Sequence, residues 1–257
     1  MIKTNMLQNL KILVLCLLLV SFTFPGKEKI TIYLAGDSTM QTYKEAETPM
    51  RGWGQYLGQF FDEDVMVVNK AIGGRSTRTF LSEGRWQGIV DALQKGDWVF
   101  IQFGHNDNSS KPERHTAPED YRDNLRKFVN EVRAKQANPV LLTSITMRRF
   151  DEQGKVNTAI GPYPDITREV ATEMKVPLID LNQKTGNYVQ AMGAEAAKEL
   201  YMWLEPGEHP KYPDGLQDDT HMQEPGALKV AELAVEGIKE LKLKPLVKNL
   251  KKPKLTN

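Results

Sequence analysis

Residues 29–39, KITIYLAGDST, run from a short apolar and β-branched stretch directly into Gly36-Asp37-Ser38-Thr39. A nearly unbroken apolar run of this length, closed by glycine and aspartate, suits a strand buried on both faces, as in a parallel sheet covered by helices. Four more runs repeat the pattern: 64–69 (DVMVVN), 97–103 (DWVFIQF), 139–145 (PVLLTSI) and 176–181 (VPLIDL). The intervals read as helices. The clearest is 118–137, where Tyr121, Leu125, Phe128, Val129 and Val132 recur at steps of three and four, with Thr116 as candidate cap and Glu119-Asp120 in the first turn. Weaker helical patterns cover 53–61, 84–94, 164–174 and 185–203, and a last one starts near Pro225 and runs to about Leu241. Strand and helix alternating through one unit predict an α/β fold, a three-layer α/β/α sandwich with right-handed crossovers around a five-stranded parallel sheet, for which the flavodoxin-like order 2-1-3-4-5 is one of the common arrangements.

Outward from this core, the chain divides into three. Its 257 residues, with 34 Lys and Arg, 33 Asp and Glu and 40% hydrophobic content, exclude a disordered, collagen-like or disulfide-stapled protein. Residues 1–25 read as an export signal: Lys3 and Lys11, then an uncharged run at 12–24 (ILVLCLLLVSFTF), then Pro25-Gly26. The run is shorter than the roughly 20 residues of a membrane span, so no stable membrane insertion is expected after cleavage. Cys16, the only cysteine, lies inside it, and Leu13-Val14-Leu15 is not the small-residue approach a lipid-anchor site would use. The expected product is exported to the periplasm or beyond the cell and has no cysteine. Residues 26–241 form one domain, and 242–257 a basic tail with Pro245 and Pro253, expected to be frayed or draped on the surface.

The net charge of +1 conceals this division. Setting aside the two lysines of the first segment and the six of the tail leaves −7 on the body. An acidic body argues against a nucleic-acid binder, which must replace phosphate counterions with Lys and Arg.

In the 2-1-3-4-5 order, ligands bind at the carboxyl ends of the strands beside the switch point, so the segments after strands 1, 2 and 3 converge. They are Gly36-Asp37-Ser38-Thr39, Ala71-Ile72-Gly73-Gly74-Arg75-Ser76 and Gly104-His105-Asn106-Asp107. Ser38 stands where a nucleophile would, although a Gly-Asp-Ser turn by itself is more often a helix cap. Gly74, having no Cβ, suits a backbone N–H donor to an oxyanion, and Asn106 suits a side-chain amide donor to the same oxygen. A general base must come from elsewhere, and Asp218-Asp219-Thr220-His221 offers one. Asp218 and His221 are three apart and can share one side of a turn, which favours Asp218 over Asp219 as the acid behind His221. His105 is better suited to a structural hydrogen bond with its loop backbone, and His115 and His209 to solvent. An Asp-x-x-His pair supplies only two ligands, so neither metal nor cofactor is expected.

The ordered set Gly-Asp-Ser, Gly, Gly-x-Asn-Asp and Asp-x-x-His resembles the SGNH (GDSL-like) hydrolases. The resemblance implies Ser38 as nucleophile, the N–H groups of Ser38 and Gly74 and the Asn106 amide as oxyanion donors, and Asp218 with His221 as the remaining pair. GDSTM at 36–40, Gly-Trp-Gly at 52–54, the stretch 69–76 and Asp-x-Thr-His before a helix are similar to the rhamnogalacturonan acetylesterase branch, a carbohydrate esterase family 12-like group. That implies hydrolysis of O-acetyl esters on pectic rhamnogalacturonan through an acetyl-enzyme. Another acetylated polymer, such as xylan or peptidoglycan, and a non-catalytic glycan binder of the same fold are the alternatives, although a pure binder has no use for the intact catalytic set. Sugar contacts would fall to Trp53, Arg75, Tyr43, Trp203 and Tyr212 by stacking and by arginine forks on uronate. Arg75 and Arg78 would offset the acidic field of the body. The long aromatic and proline-rich segment 201–217 departs from the family pattern and would shape the cleft in its own way.

Overall fold

A computed structural model describes residues 29–252, so the expected export signal and Cys16 lie outside the described residues. Five parallel strands, β1 (Ile30–Gly36), β2 (Val65–Asn69), β3 (Trp98–Gln102), β4 (Asn138–Leu142) and β5 (Leu178–Ile179), form one sheet in the order β2-β1-β3-β4-β5. This is the predicted α/β architecture.

The sheet divides two cores because successive side chains of a strand point to opposite faces. Ile32, Leu34, Phe100, Val140 and Leu142 enter one core; Tyr33, Ala35, Val99, Ile101 and Leu141 enter the other. The second is closed by α1 (Thr77–Ser82), α2 (Arg85–Ala92), α3 (Pro118–Ala134) and α4 (Tyr163–Glu173). The apolar stripe of α3 is buried as its spacing predicts, and Trp86 lies 4.1 Å from Phe128, centroid to centroid, with its indole N–H donating to Glu131 at 2.6 Å. Ala117 rather than Thr116 is the N-cap of α3, with Pro118 at the helix start where its missing N–H costs nothing. The first core is covered by α5 (Leu181–Met192) and α6 (Glu224–Glu240).

Three expectations fail for local reasons. Residues 53–61 make two 3-10 turns, Trp53–Gln55 and Leu57–Phe60, instead of one α-helix. The helix expected over 185–203 begins earlier, capped by Asp180, and stops at Gly193, whose φ of 78° lies in the left-handed region. A 3-10 turn, Ala196–Leu200, then leads into β6 (Tyr201–Leu204), which pairs antiparallel with β7 (Leu216–Met222) in a separate two-stranded sheet.

The third correction concerns the tail. After Leu241 the chain packs back onto the body: Leu243, Leu246 and Asn249 are buried, the N–H of Asp62 donates to the Asn249 carbonyl, and that of Lys251 donates to Phe60. The six lysines obscured two well-placed leucines. Leu246 is fully buried, so Leu246→Ala should cost about 2–5 kcal/mol in urea unfolding. A cost under about 0.5 kcal/mol, as for an ordinary surface site, would return this segment to the status of a loose tail.

Candidate active site

Ser38 lies immediately beyond β1 in a turn closed by the N–H groups of Met40 and Gln41 donating to the Asp37 carbonyl. Gly36 is required by close approach, since a Cβ there would sit 2.8 Å from Met40 Sδ and 2.9 Å from the Gln102 carbonyl. A buried chain of hydrogen bonds then locks the turn. Asp37 Oδ1 accepts from Thr39 N and Thr39 Oγ1, Gln102 Nε2 donates to Thr39 Oγ1, and Trp53 Nε1 donates to Gln102 Oε1. Trp53 is therefore a buried support beneath Ser38, not the sugar platform expected of it.

His221 and Asp218 come from β7 through an irregular register. Tyr201 pairs with Met222 while the next residue, Met202, pairs with Asp218, so residues 219–221 bulge out of the ladder. In a regular strand, side chains three apart would face opposite sides; the bulge brings these two together. One carboxylate does both jobs: Asp218 Oδ1 accepts from the N–H groups of Thr220 and His221, and Oδ2 accepts from His221 Nδ1–H at 2.7 Å. That leaves His221 Nε2, 3.0 Å from Ser38 Oγ, as the acceptor for the serine hydroxyl.

Burial is the largest single influence on His221 and lowers its pKa. The hydrogen bond to Asp218, the charge of Asp218 and that of Asp37 together outweigh it, and the imidazole titrates above the ordinary histidine value. Burial likewise pushes Asp218 upward, yet hydrogen bonds from His221 and Thr220 hold it below the usual carboxylate range. Asp219 faces away: it accepts from Trp203 Nε1 at 2.8 Å and pairs with Arg148 at 3.2 Å.

The loops after β2 and β3 meet beside Ser38. Gly74 has a φ of 78°, in the left-handed region that favours glycine, and the preceding N–H of Gly73 donates to Gln41 Oε1. Asn106 Nδ2 donates to the Arg75 carbonyl at 3.2 Å, and Asp107 Oδ1 accepts from Thr77 N and Thr77 Oγ1, so the two loops are tied twice. Neither the N–H of Ser38 nor that of Gly74 is given to another protein group among the described residues. Backbone and amide N–H groups gathered around one serine can stabilise an oxygen that becomes negative.

Complete burial raises the Asp107 carboxyl from 3.8 to about 6, against the hydrogen bonds from Thr77. A folded value above the unfolded one means that its contribution to stability is complete below about pH 3.8 and is lost as pH rises through about 6. The loss is about 3 kcal/mol. Asp107→Asn keeps an Oδ1 acceptor for Thr77 and does not ionise. Between about pH 4 and pH 7.5 it should lose about 3 kcal/mol less unfolding free energy than the wild type; equal losses would clear Asp107 of this role.

These groups open into a cleft of about 560 Å³, lined by Ser38, His221, Gly73, Gly74, Asn106 and Tyr43 among others. Tyr43 donates to the Ser38 carbonyl at 3.0 Å, and burial, helped by the charges of Asp37 and Asp218, raises its phenol pKa. The other sugar-binding candidates are elsewhere. Arg75 pairs with Glu83 and donates to the Gly73 carbonyl, holding the Gly73-Gly74 turn. Arg78 donates to the carbonyls of His115 and Pro112. Trp203 lies between the Arg148 and Lys198 side chains, 4.4 and 4.6 Å from its ring, and Tyr212 sits in a turn beside His209; neither lines the cleft. His105 does line it, but its contact is with the backbone of Ile145 rather than its own loop, and burial lowers its pKa. Among the described residues no three His, Cys, Asp or Glu side chains gather as a metal-binding set, and no helix is long and apolar enough to cross a membrane.

Both charged arginines of the cleft escaped the sequence reading, along with several uncharged lining residues: Arg114 is in the segment after β3, and Arg149 in the segment after β4. Their place was signalled by the strands they follow, which end at the same edge of the sheet as β1.

Known proteins share this arrangement of sequence. A family model described as the GDSL-like lipase/acylhydrolase family matches residues 34–227. Rhamnogalacturonan acetylesterase RhgT of Bacillus subtilis (strain 168) is 48% identical over 218 residues, 84% of this chain and 93% of that protein. Probable rhamnogalacturonan acetylesterase YesY of the same organism is 40% identical over 221 residues, 85% of this chain and 96% of that protein. The solved structure of protein YxiM from Bacillus subtilis superposes with a TM-score of 0.73 at 29% identity, over 84% of this chain and 58% of that one.

Proposed function

The chain belongs to the GDSL-like lipase/acylhydrolase family and is a carboxylic ester hydrolase, and we propose that it removes O-acetyl groups from pectic rhamnogalacturonan through an acetyl-enzyme. One observation carries the mechanism: Ser38 Oγ stands 3.0 Å from a histidine nitrogen whose opposite nitrogen is held at 2.7 Å by a carboxylate. In this reading Ser38 Oγ attacks the acetyl carbonyl while His221 Nε2 takes its proton. The N–H groups of Ser38 and Gly74 and the Asn106 amide receive the oxyanion, with Asn106 turning from the Arg75 carbonyl. As the C–O bond to the sugar breaks, His221 returns the proton to the leaving hydroxyl. Water, deprotonated by His221, then attacks the acetyl-serine; the bond from the acyl carbon to Ser38 Oγ breaks, acetate leaves, and His221 returns the proton to Ser38 Oγ.

The polymer is supported by the two relatives named for rhamnogalacturonan acetylesterase activity, which match at 48% and 40% identity over more than nine-tenths of their own length. Export fits that substrate, because a cell-wall polymer is met outside the cytoplasm, and the apolar run at 12–24 is the proposed signal. The test is acetate release from a panel of acetylated rhamnogalacturonan, acetylated xylan and acetylated peptidoglycan. Fastest release from the first is expected; fastest release from either of the others would move the substrate assignment.

A further inference from the structure

The body carries −7, yet the cleft beside Ser38 is lined by two arginines, Arg114 and Arg149, and by no aspartate or glutamate. Every other arginine among the described residues is committed. Arg51, Arg75, Arg85, Arg122, Arg126, Arg148 and Arg168 pair with carboxylates. Arg78 and Arg133 donate to backbone carbonyls. Arg114 has only a long 3.5 Å approach to Asn106 Oδ1, and no hydrogen bond or ion pair engages the Arg149 guanidinium among the described residues. The two guanidinium groups that neither a carboxylate nor a backbone carbonyl engages are thus the two that line the cleft.

Both are carried on segments that are themselves fastened. Arg78 clamps the Arg114 segment through the carbonyls of Pro112 and His115. Arg148 anchors the segment of Arg149: its N–H donates to the Asp219 carbonyl at 2.9 Å, its guanidinium pairs with the Asp219 carboxylate and its face lies over Trp203. The Arg149 carbonyl accepts from Asn157 N at 2.7 Å. Arg114 lies on the Gly74 and Asn106 side of the cleft, and Arg149 reaches the field of His105. An acetyl ester on Ser38 would therefore share its cleft with two guanidinium groups, whose forks suit carboxylate.

Resting on the esterase reading above, the geometry points to an anion subsite: Arg114 and Arg149 bind the carboxylate of a uronic acid on or next to the acetylated sugar, and thereby select acidic over neutral acetylated glycans. Local arginines matter here because the acidic body as a whole repels a polyanion, and only charges within about a Debye length of the cleft can reverse that field.

The experiment compares kcat/KM on an acetylated rhamnogalacturonan oligosaccharide with that on its carboxyl-reduced counterpart, which keeps the acetyl ester and loses the charge. In Arg149→Gln and Arg114→Gln the acidic-to-neutral ratio should fall about 10- to 100-fold, the scale of one charge-assisted contact, while Arg149→Lys should retain most of it. A ratio within twofold of wild type in both glutamine variants overturns the subsite, even if acetate release from the polymer is fast. A separate arm needs no turnover: equilibrium binding of oligogalacturonate to the intact protein, weakened in Arg149→Gln and by salt. If acetate is not released from the polymer but oligogalacturonate binds in this arginine-dependent way, the subsite stands and the polymer assignment fails. No binding at any salt concentration overturns the subsite.

Discussion

Ser38→Ala should lower kcat/KM for an aryl acetate by about 10⁴- to 10⁶-fold while leaving the unfolding free energy within about 1 kcal/mol of wild type. The chemical loss is large because without Oγ there is no acetyl-enzyme, and what remains is the oxyanion donors acting on water. The structural loss is small because the Ser38 turn is held by its neighbours: Asp37 accepts from Thr39, Gln102 donates to Thr39, and Trp53 donates to Gln102. None of those bonds uses the serine hydroxyl, which faces His221 Nε2 at 3.0 Å. A variant that keeps more than about a tenth of the wild-type rate would remove Ser38 from the chemistry.

The second large effect separates two adjacent aspartates. Asp218→Asn should cost about 10³- to 10⁴-fold in kcat, because the amide no longer holds the Nδ1 proton with a charge and can turn the imidazole to the wrong tautomer. The bulge itself should survive, since the amide oxygen still accepts from Thr220 N and His221 N. Asp219→Asn should cost less than about tenfold, as its contacts are with Trp203 and Arg148 and not with His221. The pH profile distinguishes the two by sign. His221 must be neutral to act as base, and it titrates above the ordinary histidine value, so wild-type kcat/KM should rise with pH through a midpoint above 6.5. Removing the carboxylate that favours the imidazolium should move that midpoint to lower pH in Asp218→Asn and leave it in place in Asp219→Asn. The reverse pattern would make Asp219 the acid behind the histidine.

Strands that are buried on both faces must be apolar almost throughout, and this is why β1, β3 and β4 were legible as runs; the edge strand β2 is as apolar in sequence although its Met66 is half-exposed. The carboxyl edge of the sheet made Ser38, Gly74 and Asn106 readable as neighbours, since each follows a strand by only a few residues. β7 had no such signal. Its sequence, LQDDTHM, is polar and without alternation, and it is a strand because its backbone pairs with β6, the stretch absorbed into the helix expected over 185–203. The convergence of Asp218 and His221 also has a different origin from the one their spacing suggested, a bulge in a strand in place of a helical turn.

Order along the chain, apolar runs and a few short motifs were enough for the architecture and the reacting groups, because each of these is decided locally or by one strand's burial. Which charges remain free was decided only by the tertiary structure. Arg75 and Arg149 look equally available as sequence, yet Glu83 takes the first, and Asp219 takes the neighbour of the second. Trp53 and Trp203 were likewise settled by what packs around them, one sealed beneath Ser38 and the other held between two cations. Whether a polar or aromatic side chain meets substrate depends on partners distant in sequence that either occupy its hydrogen-bonding groups or leave them open, and no local pattern contains that information.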